Sequence, residues 1–357
     1  MLPLTMGIME RGVRGLFSRE FLTRQRKAKY PRFSTIADSN KQEEKYAMIS
    51  TLPQLAELQD ERVLAGFSEY DYTIRNKVYT TGIRVPRRLF EYDQTGQLRT
   101  LVQSLGARVA NFPDKLSFAL LGSNGICFDK TPMFGNLHDL GNGVLQSNVV
   151  NGSMTNDILM NLLSSGATAK DNRDNAVAAM QMDLNNAKRL MFSFEDDRGE
   201  PWHEEIEPEG LIIVCPPGAE FFWRTVTEAA LIQQTSNVFI KQVSAIITTN
   251  RPEPFMDSTG VVRQGTAYLM KTDTPVQPLI FQRFGARMAF DDSVPESDHE
   301  MLRALTAVEV QSVMRTGQDI SEFTFFNDEF LFGARTHYSV GYGMWTNAVK
   351  IVAADAL

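Results

Sequence analysis

The apolar positions of this chain change period along its length. Between residues 67 and 92, "FSEYDYTIRNKVYTTGIRVPRRLFEY", Tyr70, Tyr72 and Ile74 alternate with Glu69, Asp71 and Thr73, the two-residue period of a half-buried strand. Arg75-Asn76-Lys77 can turn the chain, and "VYTTGIRV" returns toward Pro86 as a second strand. A two-stranded ribbon is marginal alone in water, so its apolar face needs a platform in the same chain or in a neighbour. The period then lengthens. Leu98, Leu101, Val102, Leu105 and Val109 follow helical spacing until Pro113 interrupts it. "PDKLSFALLGSN" restarts a short helix with Pro113 in its first turn and Gly122 as its stop. From Asp174 onward, Val177, Met180, Leu184, Ala187, Met191 and Phe194 form one apolar stripe for a partner sheet or helix.

Further on, "LIIVCPP", "VSAIITT", "TAYLM" and "PLIFQRF" read as strands, and "AEFFWRTVTEAALIQQ" reads as a helix. "SDHEMLRALTAVEVQSVMR" predicts a helix capped near Ser297, and residues 195–210 an acidic loop or hairpin tip. The closing "DEFLFGARTHYSVGYGMWTNAVKIVAA" predicts a long strand, with Phe330/Phe332 and Tyr338/Val340/Tyr342 alternating. This interleaved order implies an α+β fold without a strict βαβ repeat. Residues 1–60 differ. Their apolar positions are sparse, and only "LPQLAEL", with Leu52, Leu55 and Leu58 three apart, suggests a short helix. They read as an arm that must lie on another surface or stay disordered.

Composition changes the picture in two places. The chain has 357 residues and only two cysteines, Cys127 and Cys215, so no disulfide framework is expected and a reducing cytosol fits its synthesis. No run reaches the roughly 18 apolar residues of a membrane span, and Glu10, Arg11 and Arg14 interrupt any secretory core, so a soluble, intracellular product is expected. Charge is polarised. Residues 1–35 hold eight Lys/Arg against two acids, an excess of six, and with −7 overall the remainder carries −13. A basic arm on an acidic body suits a polyanion or an acidic partner at the arm, while the body suits nucleic acid poorly.

The stretch "ICFDKTPMFGNLHDLGNG" (126–143) imitates an active site, with Cys127, Asp129, His138 and Asp139 among glycines. A cysteine nucleophile needs a basic or helix-terminal environment, yet Ile126 and Phe128 flank Cys127 and no oxyanion pattern accompanies it. A metal site lacks a second His or Cys at ligand spacing, and only four histidines are available. His203, with Glu204, Glu205, Asp196 and Asp197, reads as a solvated charged tip. Neither a GxxxxGK[ST] loop nor a GxGxxG between strand and helix is present, and "VGYG" at 340–343 reads as close backbone packing. No cofactor, metal or catalytic residue is expected. Two other readings are a basic-armed nucleic-acid-binding protein and a Cys127-dependent hydrolase.

Three motifs resemble one family. "FLFGARTHYSVGYGMWTNAVK" is similar to the closing strand of the Mu-like major head (capsid) subunits of tailed phages, with its Gly, Arg, aromatic strand and Gly-x-Trp. "VYTTGIRVPRRLFEYDQTGQL" resembles their ribbon-to-helix passage, keeping Asp93 and Gly96 with Tyr92 where a second acid is usual. "GICFDKTPMFGNLHD" resembles their aromatic-Asp loop, with Lys130 where a Gly is usual. The resemblance, taken over about residues 45–350, implies a Hong Kong-97-type capsid fold. Its expected parts are an N-terminal arm (1–60), an extended β-hairpin loop (61–92), a peripheral domain with a long spine helix (93–170), an axial domain (171–319) and a return strand of the peripheral domain (320–357). It implies a structural, non-enzymatic protein that self-assembles into hexamers and pentamers of an icosahedral head around double-stranded DNA. The virion is then its destination and the host bacterial cytoplasm its place of synthesis. Implied partners are itself, portal and scaffolding proteins, a decoration protein and non-specifically contacted DNA, with no membrane. Candidate inter-subunit contacts are Tyr70, Tyr72, Ile74, Lys77, Arg84, Arg87 and Arg88. Gly66, Gly82 and Gly96 are candidate hinges, and Arg11, Arg14, Arg24, Arg26 and Lys27 candidate lumen- or scaffold-facing residues.

Overall fold

The computed structural model describes residues 2–49, 69–88, 96–155, 167–232, 235–285, 296–313 and 326–354. The first half contains α1 (Leu2–Gln25), β1 (Ser34–Ser39), β2 (Glu43–Ile49), β3 (Glu69–Arg75), β4 (Lys77–Pro86), α2 (Gln97–Ala110), α3 (Phe112–Ser123), β5 (Val149–Asn151) and α4 (Ala167–Phe192). There follow β6 (Leu211–Cys215), α5 (Pro217–Glu228), β7 (Leu231–Ile232), β8 (Thr235–Ser236), β9 (Ala245–Thr248), β10 (Ala267–Lys271) and β11 (Leu279–Phe284). The described chain closes with α6 (Glu296–Thr306), β12 (Val308–Val313), β13 (Glu329–Tyr342) and β14 (Ala348–Val352).

Two five-stranded sheets organise the molecule. The first runs β1-β11-β13-β12, with β4 also on β13, and the second runs β5-β14-β10-β6-β9. In the first, Phe330, Phe332 and Ala334 of β13 alternate inward and meet Val85 of β4 beneath α1 and α2. In the second, all five residues of β6 are buried, which is why "LIIVC" is a continuous apolar run rather than an alternating one. The predicted stripe of α4 holds, since Val177, Met180, Leu184, Ala187 and Met191 are all buried in the main core.

Several expectations change. Residues 2–25 are a helix integrated into the core, not a coreless arm, because Val13, Phe17 and Phe21 recur every four residues and seal against α2. Gly106 permits that contact, since a Cβ there would stand 2.9 Å from the Phe17 carbonyl. Residues 34–39 then join the first sheet as β1, parallel to β11. The ribbon also pairs differently. β3 pairs with β2, from Glu43↔Arg75 to Ile49↔Glu69, whereas β4 joins β13 over Lys77–Pro86. Asn76 therefore divides two sheets rather than turning a hairpin. The suggested helix at Leu52–Leu58 lies outside the described residues.

Gly122 does not stop α3. The terminator is Asn124, at φ 44°, and Gly122 exists for contact, since a Cβ there would lie 2.3 Å from the Glu253 carbonyl. α6 begins at Glu296, which places Ser297 inside its first turn, and the predicted helix ends at Thr306, where Val308 and Val310 alternate with Glu309 and Gln311 as β12. The closing strand is broken by a 3-10 turn at Trp345–Asn347. Strands of the expected 171–319 and 320–357 segments stand side by side, with β11 and β12 beside β13 and β10 beside β14.

If α1 is core, Phe21→Ala should destabilise the unassembled chain by about 3–5 kcal/mol. A urea titration reads this, and a loss below about 0.5 kcal/mol, as at a surface site, would mean that α1 is detachable.

Candidate functional site

The 126–143 loop separates its supposed catalytic groups. Cys127 is buried with its thiol donating to the Gly343 carbonyl at 3.5 Å, and burial pushes that thiol well above its ordinary range. It is thus an inert core residue. His138 turns elsewhere: its Nδ1 lies 2.5 Å from Asp129 Oδ2 and 2.9 Å from Thr131 Oγ1. Its ring stacks on Trp345 with centroids 4.2 Å apart. Asp129 also accepts from the backbone N–H and the hydroxyl of Thr131. Asp139 accepts from the N–H groups of Gly141 and Gly143, closing a tight turn. These polar groups rigidify a loop. Among the described residues, no group of three or more His, Cys, Asp or Glu is arranged to hold a metal, and no helix is long and apolar enough to cross a membrane.

Lys130 carries a local strain that the sequence signals only weakly. Cys127 N–H donates to the Thr131 carbonyl and Lys130 N–H to the Cys127 carbonyl, closing a turn with Lys130 at φ 65°. The same two bonds recur at Asp196–Glu200 and Asp257–Val261, where the equivalent positions are Gly199 (φ 80°) and Gly260 (φ 82°). Lys130 occupies a glycine's place.

His203 is not the solvated tip expected of it. It is buried, with Nε2 3.0 Å from the Thr346 carbonyl, and burial lowers its pKa. Asp196, also buried, accepts from the N–H groups of Arg198 and Glu200, while Glu204 and Glu205 remain exposed. Only part of the acidic stretch is therefore solvated, because Trp202–Ile206 folds back onto the Trp345 region.

The ribbon's apolar face is spent largely inside the chain. Ile74 is buried, Tyr72 accepts from the Tyr342 N–H at 3.2 Å, and Tyr46 donates to Gln282 at 2.9 Å. Gly341 makes the seat, since a Cβ there would stand 2.3 Å from Ile74 Cδ1. Close backbone packing of "VGYG" is thus observed at Gly341, and again at Gly343 against the Gln277 carbonyl. The outward face is polar, with Glu43–Arg75 at 3.2 Å and Lys45–Asp71 at 4.0 Å. Tyr70 lies in register with Met48.

The remaining candidates scatter. Lys77, Arg84 and Arg88 are exposed on or just after β4, while Arg87 turns to Asp328 of its own chain at 4.0 Å. Gly82 sits mid-strand opposite Gly333, where a Cβ would meet the Phe332 carbonyl at 3.1 Å, a close-approach position. Gly96 caps α2 at φ 69°, a conformation that favours glycine, and Gly66 lies outside the described residues. On α1, Arg14 and Arg24 are held by Glu10 and Glu20, each at 2.9 Å, and Arg26 reaches Met301 Sδ at 3.4 Å. Arg11 and Lys27 are exposed.

Comparison with known proteins now bears on these surfaces. Residues 7–165 match the family model of the Mu-like prophage major head subunit gpT. The chain resembles the Mu-like major head subunits. The match begins earlier than the quoted motifs and does not include the closing strand. A Mu-like prophage FluMu major head subunit of Haemophilus influenzae is 28% identical over 119 residues, covering 33% of this chain and 39% of that protein. The major capsid protein of Escherichia phage Mu is 26% identical over 132 residues, covering 34% of this chain and 43% of that protein. The aligned part is thus about two fifths of the length of these relatives. The mature capsid chain of bacteriophage PhiM1 superposes with a TM-score of 0.52 at 10% identity, over 92% of this chain and 87% of that one. The fold is the Hong Kong-97-type fold of phage capsid chains.

Two measurements follow. Lys130→Gly removes the left-handed penalty at the cost of a freer unfolded chain, so it should stabilise by up to about 1 kcal/mol, a small rise in Tm. Because folded His203 titrates below the ordinary 6.5, the unfolded chain binds more protons beneath that value. Its contribution to stability is full above 6.5 and declines as pH falls through it. Denaturation between pH 7 and 5 should show this slope, and His203→Gln should flatten it.

Proposed function

We propose that this chain is a structural major capsid protein, assembling through copies of itself into the hexamers and pentamers of an icosahedral phage head around double-stranded DNA. The observation that carries this reading is the agreement of two likenesses, the family match over residues 7–165 and the capsid fold over 92% of the chain. The chemistry supports it: the one cluster resembling a catalytic site holds its thiol and its imidazole in separate hydrogen-bond sets.

In this reading the β2–β3 hairpin, with its connection 50–68, is the extended loop. Its base is anchored at Gly341, and a neighbouring subunit is the partner assigned here to the connecting residues. Each contact between subunits is modest, and closure of the shell multiplies them. Arg11 and Lys27 are offered to packaged DNA or to an acidic scaffolding segment. Portal and decoration proteins complete the set of partners, and the host cytoplasm is where the chain is made.

Electron microscopy of the purified chain tests the reading, with closed shells expected. A variant in which a short turn replaces residues 50–68 should still unfold cooperatively in urea, because the described hairpin base stays docked, and should fail to close shells. Normal particles from that variant would remove the hairpin from the assembly role, and no particles from the native chain under any assembly condition would overturn the reading itself.

A further inference from the structure

The 126–146 loop has an inverted pattern. His138 and Gln146 pair by reciprocal backbone hydrogen bonds of 3.1 and 2.8 Å, and both polar side chains are buried. Their neighbours Leu137 and Leu145 therefore point to the opposite side, where they are 62% and 61% exposed, and Val144 is 49% exposed. The loop is also stiff. Asn142 donates to the Asp196 carbonyl, Gln146 exchanges two hydrogen bonds with Glu195, and His138 is clamped between Asp129 and Trp345. A rigid finger with polar groups inside and leucines outside wastes burial in an isolated chain. Held in one conformation, it loses little entropy on docking.

Its surroundings define the partner. The finger is hydrogen-bonded to Glu195 and Asp196, at the start of a segment whose Glu200, Glu204, Glu205, Glu207 and Glu209 are exposed. Elsewhere the chain has a complementary recess: a cleft of about 360 Å³ between β4 and the α2–α3 corner, walled by Tyr79, Val109, Phe112 and Ala334 and bordered by Arg108 and Lys115. Both cations are exposed. The cleft opens beside β4, which among the described strands pairs only with β13. Phe112 and Asn124, at the cleft and at the root of the finger, bound the two ends of α3, a helix of 12 residues and so about 18 Å long. With its tip pinned to Asp196 and Trp345, the finger does not fill the cleft of its own chain.

We propose that the leucine finger of one copy docks in the Tyr79–Phe112 cleft of a second copy, the acidic surround of the finger meeting Arg108 and Lys115. The two surfaces are unlike, so the contact is head-to-tail and propagates around a ring. This inference rests on the shell reading, and it assigns to the apparent active site a role in holding subunits together.

The test places both partners on one chain, as Leu145→Cys with Arg108→Cys, both exposed positions. Cys127 and Cys215 are buried and silent to a surface reagent. Assembled particles are treated with a short bis-maleimide and run on a denaturing gel. A ladder climbing from dimer to higher oligomers is expected, with each single variant staying monomeric. Particles that form without a ladder would overturn the docking and leave the shell reading standing. A ladder from Leu145→Cys with Val238→Cys instead would also overturn it, by placing the finger on the exposed apolar patch after α5. Failure of the native chain to form particles would remove the shell reading, and this inference with it.

Discussion

Strand β13 is the constraint on which the rest depends. Its 14 residues are shared among three partners, β4 and β12 along its first part and β11 along its last. Its two faces do different work. Phe330, Phe332 and Ala334 close the core under α1 and α2, while Gly341 removes a side chain so that Ile74 and Tyr72 can lie against bare backbone. Tyr342, next in line, ties this seat to α3, accepting from the Gly125 N–H at 2.6 Å and donating to the Leu120 carbonyl at 2.8 Å. A shift of β13 by one residue would exchange these faces and undo the helix layer and the hairpin seat together.

From this strand the charge layout follows. Arg283 on β11 is buried and hydrogen-bonds both Asp38 of β1 and Glu300 of α6, the latter at 2.5 Å. A buried guanidinium is tolerated because both its faces meet carboxylates, and removing one partner would leave a costly unpaired charge. The N-terminal segment is thereby fastened twice, by the aromatic seam of α1 and by this clamp. What it offers to other molecules is its outer cationic face, reduced by the internal pairs of Arg14 and Arg24.

The loop that resembles a reactive centre shows how residue chemistry and residue role diverge. Thiol, imidazole and carboxylate occur together, but the thiol faces the Gly343 carbonyl while the imidazole faces Asp129. Polar side chains that close turns and clamp rings produce rigidity, and a rigid exposed surface is what association between copies rewards. The same groups that suggest catalysis by composition hold the loop rigid by geometry.

The sequence by itself determined the local geometry. The α4 stripe, the break between α2 and α3 at Pro113, the buried run of β6 and the tight packing at "VGYG" all follow from period, proline and glycine, which act within a few residues. That Lys130 takes a glycine's place entered only through the family resemblance, and the left-handed turn at φ 65° appears in the structure. Partnership was decided only by the tertiary structure. β3 and β4 are consecutive and read as one hairpin, yet they join different sheets, because strand pairing is set by which distant edge offers a matching face, and a two-residue period is the same for every partner. For the same reason, Val13, Phe17 and Phe21 have helical spacing in the sequence, but only α2 and Gly106 make them core. His203 is buried only because the 202–206 segment folds onto Thr346. A one-dimensional pattern states which face of an element is apolar; the surface that covers it lies far away in the sequence and is supplied by the fold.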